Sequence, residues 1–275
     1  MSTLDRFLLT GRTAVITGGA GLLGRQHARA ILDAGGQAAL LDISDNKLAS
    51  AVAALDTDGA GRVAGFVCDI TSPESIRATL DAVLARFAGV EILINNAAND
   101  PKVGGGGLES TGRLEHFPLA GWNADLAVGL TGAFLCTQVF GTHMAAAGKG
   151  AILNIASDLG LIGPDQRIYR QEGLPEEMQP AKPVTYSVVK SGLIGLTRYT
   201  ATYWAMAGIR CNALCPGGVY VNQDAAFVER LTNLIPMGRM ASADEYAAAI
   251  VFLVSDASSY MTGAVVAMEG GRTVW

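Results

Sequence analysis

The sequence predicts an α/β fold: a doubly wound parallel sheet flanked by helices, built as a single domain over residues 1–275. Three observations predict it. Short β-branched runs alternate with segments of helical period along the chain. Those runs are apolar throughout rather than every second residue, as expected when helices cover both faces of a sheet. No linker or repeat at a solenoid period divides the chain.

Taken in order, Thr13–Thr17 is a strand between glycines, and 22–34 is a helix closed by Gly35 and Gly36. A strand at 37–41 ends in Asp42, and a helix follows at 46–55. A strand at 62–68 ends in Asp69. Ser72 and Pro73 open a helix to Phe87, because serine can accept from the free N–H groups of a first turn and proline suits the first helical position. A fourth strand spans 91–94. A long helix at 121–147 then precedes a strand at 151–155, and another at 184–207 precedes one at 209–214. A helix at 243–253 and a strand at 264–268 complete the pattern. Two irregular stretches remain: 99–118, whose glycines at 104–107 suggest a loop moving beside the active site, and 161–183, which carries four prolines.

Composition narrows the function. Lys and Arg number 20 against 25 Asp and Glu, a net charge of −5, so no nucleic-acid partner is expected. Half the residues are hydrophobic, which excludes a disordered chain. The 34 glycines have no period of three, which excludes collagen. No run of about 18 apolar residues occurs, and the first ten residues lack a leader pattern, so neither a membrane span nor secretion is expected. Four scattered cysteines and three scattered histidines form no zinc set; reduced thiols in a cytoplasmic protein, with no metal, are expected.

The glycine excess has a local meaning. Gly18, Gly19, Gly21, Leu23 and Gly24 stand between the first strand and its helix, with G-x-G-x-x-G at positions 19, 21 and 24. A pyrophosphate approaches a backbone only where side chains are missing, and the helix start offers free N–H groups and a positive dipole end. Asp42 follows 18 residues past Gly24, placed to accept from ribose hydroxyls and repel a 2′-phosphate. Ile43 supplies no base beside it, so NAD is expected over NADP. Tyr186 and Lys190 are four apart and share a helix face. An ammonium beside a phenol stabilises the phenolate, which makes a general acid/base for an alcohol–ketone pair.

With Asp69-Ile70, Asn95-Asn96-Ala97-Ala98, Asn154-Ile155-Ala156-Ser157, Pro216-Gly217 and Glu269-Gly270-Gly271 in the right order, the chain resembles the short-chain dehydrogenase/reductase family over nearly its whole length. The resemblance implies a Rossmann-type sheet and hydride transfer at nicotinamide. It implies Ser157 steadying the substrate oxygen, Tyr186 as acid/base, and Lys190 on the nicotinamide ribose. Asp69 and Ile70 would hold the adenine. Asn95, Ala97, Pro216, Gly217 and Val219 would border the cofactor. A small-molecule substrate, polyol- or sugar-like, and a homodimer or homotetramer paired through the two long helices are expected.

Four departures stand out. Gly21 takes the place of a later loop glycine, as in the longer sugar-nucleotide branch. Gly129 replaces an asparagine whose distorted helix holds a relay water. The threonine often found after Pro-Gly is absent. Ser157 and Tyr186 are 29 residues apart, much more than usual, because of 161–183. That insertion must pass near the substrate mouth and offers Asp165, Gln166, Arg167, Tyr169 and Arg170 to a polar or phosphorylated substrate. It gives a narrower likeness to dehydrogenases of surface-carbohydrate or flagellin-sugar biosynthesis. Two alternatives stay open: a sugar-nucleotide epimerase or dehydratase with tightly bound NAD, and a non-catalytic NAD-sensing protein.

Overall fold

The computed structural model describes residues 2–99 and 112–275. The glycines at 104–107 lie outside the described residues. Strands β1 (Thr13–Thr17), β2 (Gln37–Asp42), β3 (Val63–Val67), β4 (Ile92–Asn95), β5 (Gly150–Ile155), β6 (Ile209–Pro216) and β7 (Val265–Met268) form one sheet in the order β3-β2-β1-β4-β5-β6-β7. Every neighbouring pair is parallel.

The uniformly apolar strands are explained by two cores. Ile16, Leu40, Ile92 and Ile94 face one side with helices α1 (Leu22–Asp33) and α2 (Asp45–Leu55). Val15, Leu41 and Leu93 face the other, against α3 (Pro73–Phe87). Alternate residues thus enter opposite cores, and each such side chain contributes roughly 1.5–3 kcal/mol on burial. Ser72 accepts from the Ser75 N–H with Pro73 opening α3, as the sequence predicts.

The long helix predicted at 121–147 is three pieces: α4 (Leu119–Leu126), a π-helical turn at Ala127–Thr131, and α5 (Gly132–Ala146). Gly129 sits in the wide turn, and a Cβ there would lie 2.6 Å from Val189 Cγ1. Glycine at this point lets the distorted helix pass close to its neighbour α6 (Val184–Tyr203). The combined stretch Leu119–Ala146 is long and apolar enough to cross a membrane by length and composition, but α5 packs on β4, β5 and α3. The helix predicted to 207 stops at Tyr203, and a short 3-10 turn carries the chain to Gly208, which takes a φ of +75°. An unpredicted helix, α7 (Ala225–Thr232), is capped by the Asp224 carboxylate. The helix predicted at 243–253 begins later, as α8 (Ala247–Val254).

One buried group has a consequence for acid stability. His27 on α1 is 1% exposed, and among the described residues its ring nitrogens find no well-formed hydrogen bond, with the Asn96 side chain as a polar neighbour. Burial disfavours the imidazolium and lowers the pKa from 6.5 to about 4, with the nearby Asn96 side chain offsetting part of the effect. Between those values the unfolded chain holds the proton and the folded chain does not. Stability from this site is therefore complete above pH 6.5 and falls as pH drops toward 4, by about 3 kcal/mol in all. Urea midpoints should fall less between pH 7.5 and 4.5 in His27→Leu than in the parent chain. Equal slopes would refute the assignment.

Candidate active site

In a parallel sheet the strand ends that carry binding loops all point one way, and a crevice opens where the strand order reverses. Here that point lies between β1 and β4, and the predicted site residues gather along that edge. The glycine loop follows β1. The Thr17 hydroxyl accepts from the N–H groups of Asn96 and Ala97, 3.0 Å each. Asn96 Nδ2 donates to the carbonyls of Thr17 (2.9 Å) and Gly18 (3.2 Å). The end of β4 thus shapes the loop after β1.

The four loop glycines divide their work. Gly18 has a φ of +61°, the left-handed region that favours glycine. A Cβ at Gly24 would lie 2.3 Å from the Gly18 carbonyl, and one at Gly19 would lie 2.9 Å from the Leu40 backbone. Packing against β2 therefore demands a glycine at position 19. At Gly21 a Cβ would meet only the Gly18 carbonyl, at 3.2 Å, so this side is open. Gly21 caps α1 with no side-chain hydrogen bond, leaving the first-turn N–H groups, Leu23 among them, for a ligand. The cradle fits a dinucleotide phosphate.

Asp42 ends β2, and its carboxylate accepts from the Ser44 N–H at 3.2 Å. Ile43 beside it is 75% exposed. Asp69 lies after β3, the next strand over. Its carboxyl is held below the usual range by the hydroxyl and N–H of Thr71, so it is an acceptor at neutral pH. Ile70 buries its side chain against Gly132 of α5, which leaves backbone as what it offers a cofactor.

Asn95 differs from its predicted place. It is 3% exposed, and its Nδ2 donates to Thr137 Oγ1 (3.0 Å) and Asn154 Oδ1 (2.8 Å). It braces β4 to β5 and α5 from inside, while Asn96, which the sequence reading passed over, holds the loop. Pro216 ends β6 and Gly217 follows. Gly217 lies so close to Glu269 that a Cβ would come within 2.9 Å of its Cα, and its carbonyl accepts from the Tyr246 hydroxyl. Val219 pairs with Ala241 in an isolated bridge, and its carbonyl accepts from Gln223 Nε2.

The reacting end forms where β5 meets α6. Ser157 follows β5, Tyr186 lies on the first turn of α6, and their oxygens are 3.4 Å apart. Lys190, one turn on and 6% exposed, donates to the Ile155 carbonyl at 2.8 Å. That bond fixes the ammonium 5.8 Å from the Tyr186 ring centroid. A second cation, Lys182, sits 3.8 Å from the same centroid. Beside Tyr186, the Thr185 hydroxyl donates to Asp125 (2.6 Å), which anchors the start of α6 to α4. A small cleft lined by Ala98, Asn99, Gly129, Tyr186 and Lys190 opens beside this group.

The insertion folds on itself. Arg167 pairs with Asp165 (2.6 Å) and Arg170 with Glu176 (2.5 Å). Gln179 is buried and ties its amide to the Gln171 and Leu174 carbonyls. These arginines are thus matched by carboxylates of their own segment, though both guanidinium groups remain largely exposed. Ile168 is buried with Leu231 and Ile235, and Tyr169 meets the Phe227 ring at 5.6 Å. Insertion and α7 therefore form one wall.

Comparison with known proteins agrees with this geometry. The family model "short chain dehydrogenase" matches residues 12–169, and the model "Enoyl-(Acyl carrier protein) reductase" matches 175–273. The chain is 34% identical to D-threitol dehydrogenase of Mycolicibacterium smegmatis over 98% of its own length and 95% of the relative's. It is similar to a gluconate 5-dehydrogenase from Burkholderia cenocepacia J2315 solved with NADP and tartrate (TM-score 0.84, 30% identity, 100% of both chains). It is also similar to NAD+-bound xylitol dehydrogenase (TM-score 0.82, 25% identity, 96% of this chain and 99% of that one). The protein belongs to the short-chain dehydrogenase family and is an NAD(P)-dependent oxidoreductase of alcohols and ketones.

Proposed function

We propose that the chain oxidises a secondary hydroxyl of a polyol or sugar-like substrate with NAD as the cofactor, and reduces the matching ketone in reverse. The observation that carries this is the Ser157–Tyr186 pair, 3.4 Å apart, with the Lys190 ammonium fixed beside it. Tyr186 takes the proton of the substrate hydroxyl, and Ser157 holds the same oxygen. Lys190 stabilises the phenolate and reaches toward the cofactor ribose. Bound NAD supplies the hydride acceptor. Gly18, Gly21 and the first turn of α1 hold its pyrophosphate, Asp42 and Ile43 its adenosine ribose, and Asp69 and Ile70 its adenine.

The names of the threitol, gluconate and xylitol relatives support a substrate with several hydroxyls. Their full-length coverage supports this reading over a sugar-nucleotide epimerase. The surface-carbohydrate reading rests on the insertion alone, and the self-paired arginines do not strengthen it. A screen of C4–C6 polyols, sugars and hydroxy acids with NAD and NADP should find NAD-dependent turnover of a polyol. Turnover with hydroxy acids only would overturn the substrate class.

The assembly we infer is a homodimer or homotetramer in the cytoplasm. Phe134 on α5 and the stacked pair Tyr199 and Tyr203 on α6 are exposed, and a Cβ at Gly195 would meet nothing within 4 Å. Free, buried thiols support a reducing compartment. Light scattering should give a multiple of the chain mass, and the monomer mass would refute the pairing.

A further inference from the structure

The residue after Ser157 is an acid buried in the site, and its partner comes from the far end of the chain. Asp158 Oδ1 accepts from the Ser157 hydroxyl (2.7 Å) and from the Leu159 N–H (2.8 Å). Its other oxygen, Oδ2, accepts from Arg272, at 2.7 Å. The two side chains are only 4% and 7% exposed. The sharp turn that delivers the guanidinium is built by Gly270 and Gly271, with φ of +70° and +89°. A Cβ on either would strike Ile235 or Pro236, at 2.6 and 2.9 Å. Glu269 closes the turn by accepting from the Arg272 N–H and the Thr273 hydroxyl. A buried ion pair costs desolvation and is weak evidence for stability as such. Its position against the reacting serine points to another use.

We propose that Asp158 and Arg272 form a positioning pair that fixes the direction of the Ser157 proton and sets the charge felt by the Tyr186 phenol. This rests on the reading of Ser157 and Tyr186 as the reacting pair. With its proton given to Asp158, Ser157 turns lone pairs toward the Tyr186 hydroxyl 3.4 Å away. In the resting site Ser157 therefore donates to Asp158; the single proton of a bound alcohol is left for Tyr186, and Ser157 turns its hydroxyl to the substrate oxygen as charge develops there. The carboxylate alone would oppose phenolate formation next door, and Arg272 cancels that opposition.

The other charged or titratable groups facing this cluster are Lys190 and Lys182 near the Tyr186 ring, Tyr246 and Cys215 beside Asp158, and Asp165 and Glu269 beside Arg272. All are common to the variants below, so differences between variants report the pair itself.

The test is an NMR titration of the full chain labelled with 13Cζ-tyrosine, with Tyr186→Phe assigning the signal. Asp158→Asn keeps the shape but leaves Arg272 uncancelled, and should lower the Tyr186 pKa by about 1 unit. Arg272→Met leaves the carboxylate uncancelled and should raise it by about 1 unit. The double variant and Arg272→Lys should titrate near the parent. If Arg272→Met does not fold, Asp158→Asn against Arg272→Lys still separates loss of charge from loss of shape. Where a substrate is in hand, Asp158→Asn should lower kcat about tenfold with KM nearly unchanged, its acid limb moving with the phenol pKa. Shifts of one sign in both single variants, or none in a folded Asp158→Asn, would overturn the proposal. Absence of alcohol turnover in the parent would sink the functional reading instead, and the titration would still decide the pair.

Discussion

Replacing Tyr186 with phenylalanine should lower kcat by roughly 10²–10⁴-fold, the range expected when a positioned acid/base is lost. NAD affinity should stay within about twofold, because a lost hydroxyl disturbs neither the glycine loop nor Asp42. The expectation follows from geometry. Ser157 cannot replace the phenol, since its proton is engaged by Asp158. Lys190 cannot, because its ammonium is tied to the Ile155 carbonyl. Nor is there a thiol to stand in: burial pushes the nearby Cys215 up to about 11. Stopped-flow turnover and NAD titration by fluorescence check both halves. Turnover retained in Tyr186→Phe would reject the acid/base assignment, and lost NAD binding would show that the substitution had damaged the fold.

The alternation of strands and helices was legible because the inner strands β1, β2, β4, β5 and β6 are buried on both faces and so read as largely apolar runs, while the edge strands β3 and β7 are partly exposed. Local chemistry was legible too: Ser72 and Pro73 predict the start of α3, and the four-residue step from Tyr186 to Lys190 predicts a shared helix face. The π-turn at Ala127–Thr131 was legible only as a glycine out of place, since what demands it is Val189, 60 positions along from Gly129. Asn95 and Asn96 are neighbours of one type, and nothing local says which faces the core. Arg272 lies 114 residues from Asp158, so no spacing rule joins them. An acid directly after the serine of the strand-β5 motif was the one visible sign that a cation must come from elsewhere. The insertion offered charged residues to the sequence reading, but their pairing with one another is a property of the folded segment.

Cofactor choice should turn on two side chains at the end of β2. One similar structure was solved with NADP and another with NAD, so the shared fold does not decide it. Asp42 is fixed as an acceptor by the Ser44 N–H, and Ile43 stands exposed beside it without a cation. Hydrogen bonds from ribose hydroxyls to a carboxylate contribute about 1.5–3 kcal/mol. A 2′-phosphate facing the same carboxylate loses them and adds like-charge repulsion. Asp42→Ala alone should remove the NAD preference without creating a strong NADP site. Asp42→Ala with Ile43→Arg supplies a fork matched to phosphate. Two effects of about 1.5 kcal/mol each should then move the ratio of kcat/KM for NADP over NAD by about 100-fold. Asp69 accepts from Thr71 on the neighbouring strand end and is untouched, so adenine binding should persist and both cofactors should still saturate. An unchanged ratio in a folded double variant would place cofactor selection somewhere other than β2.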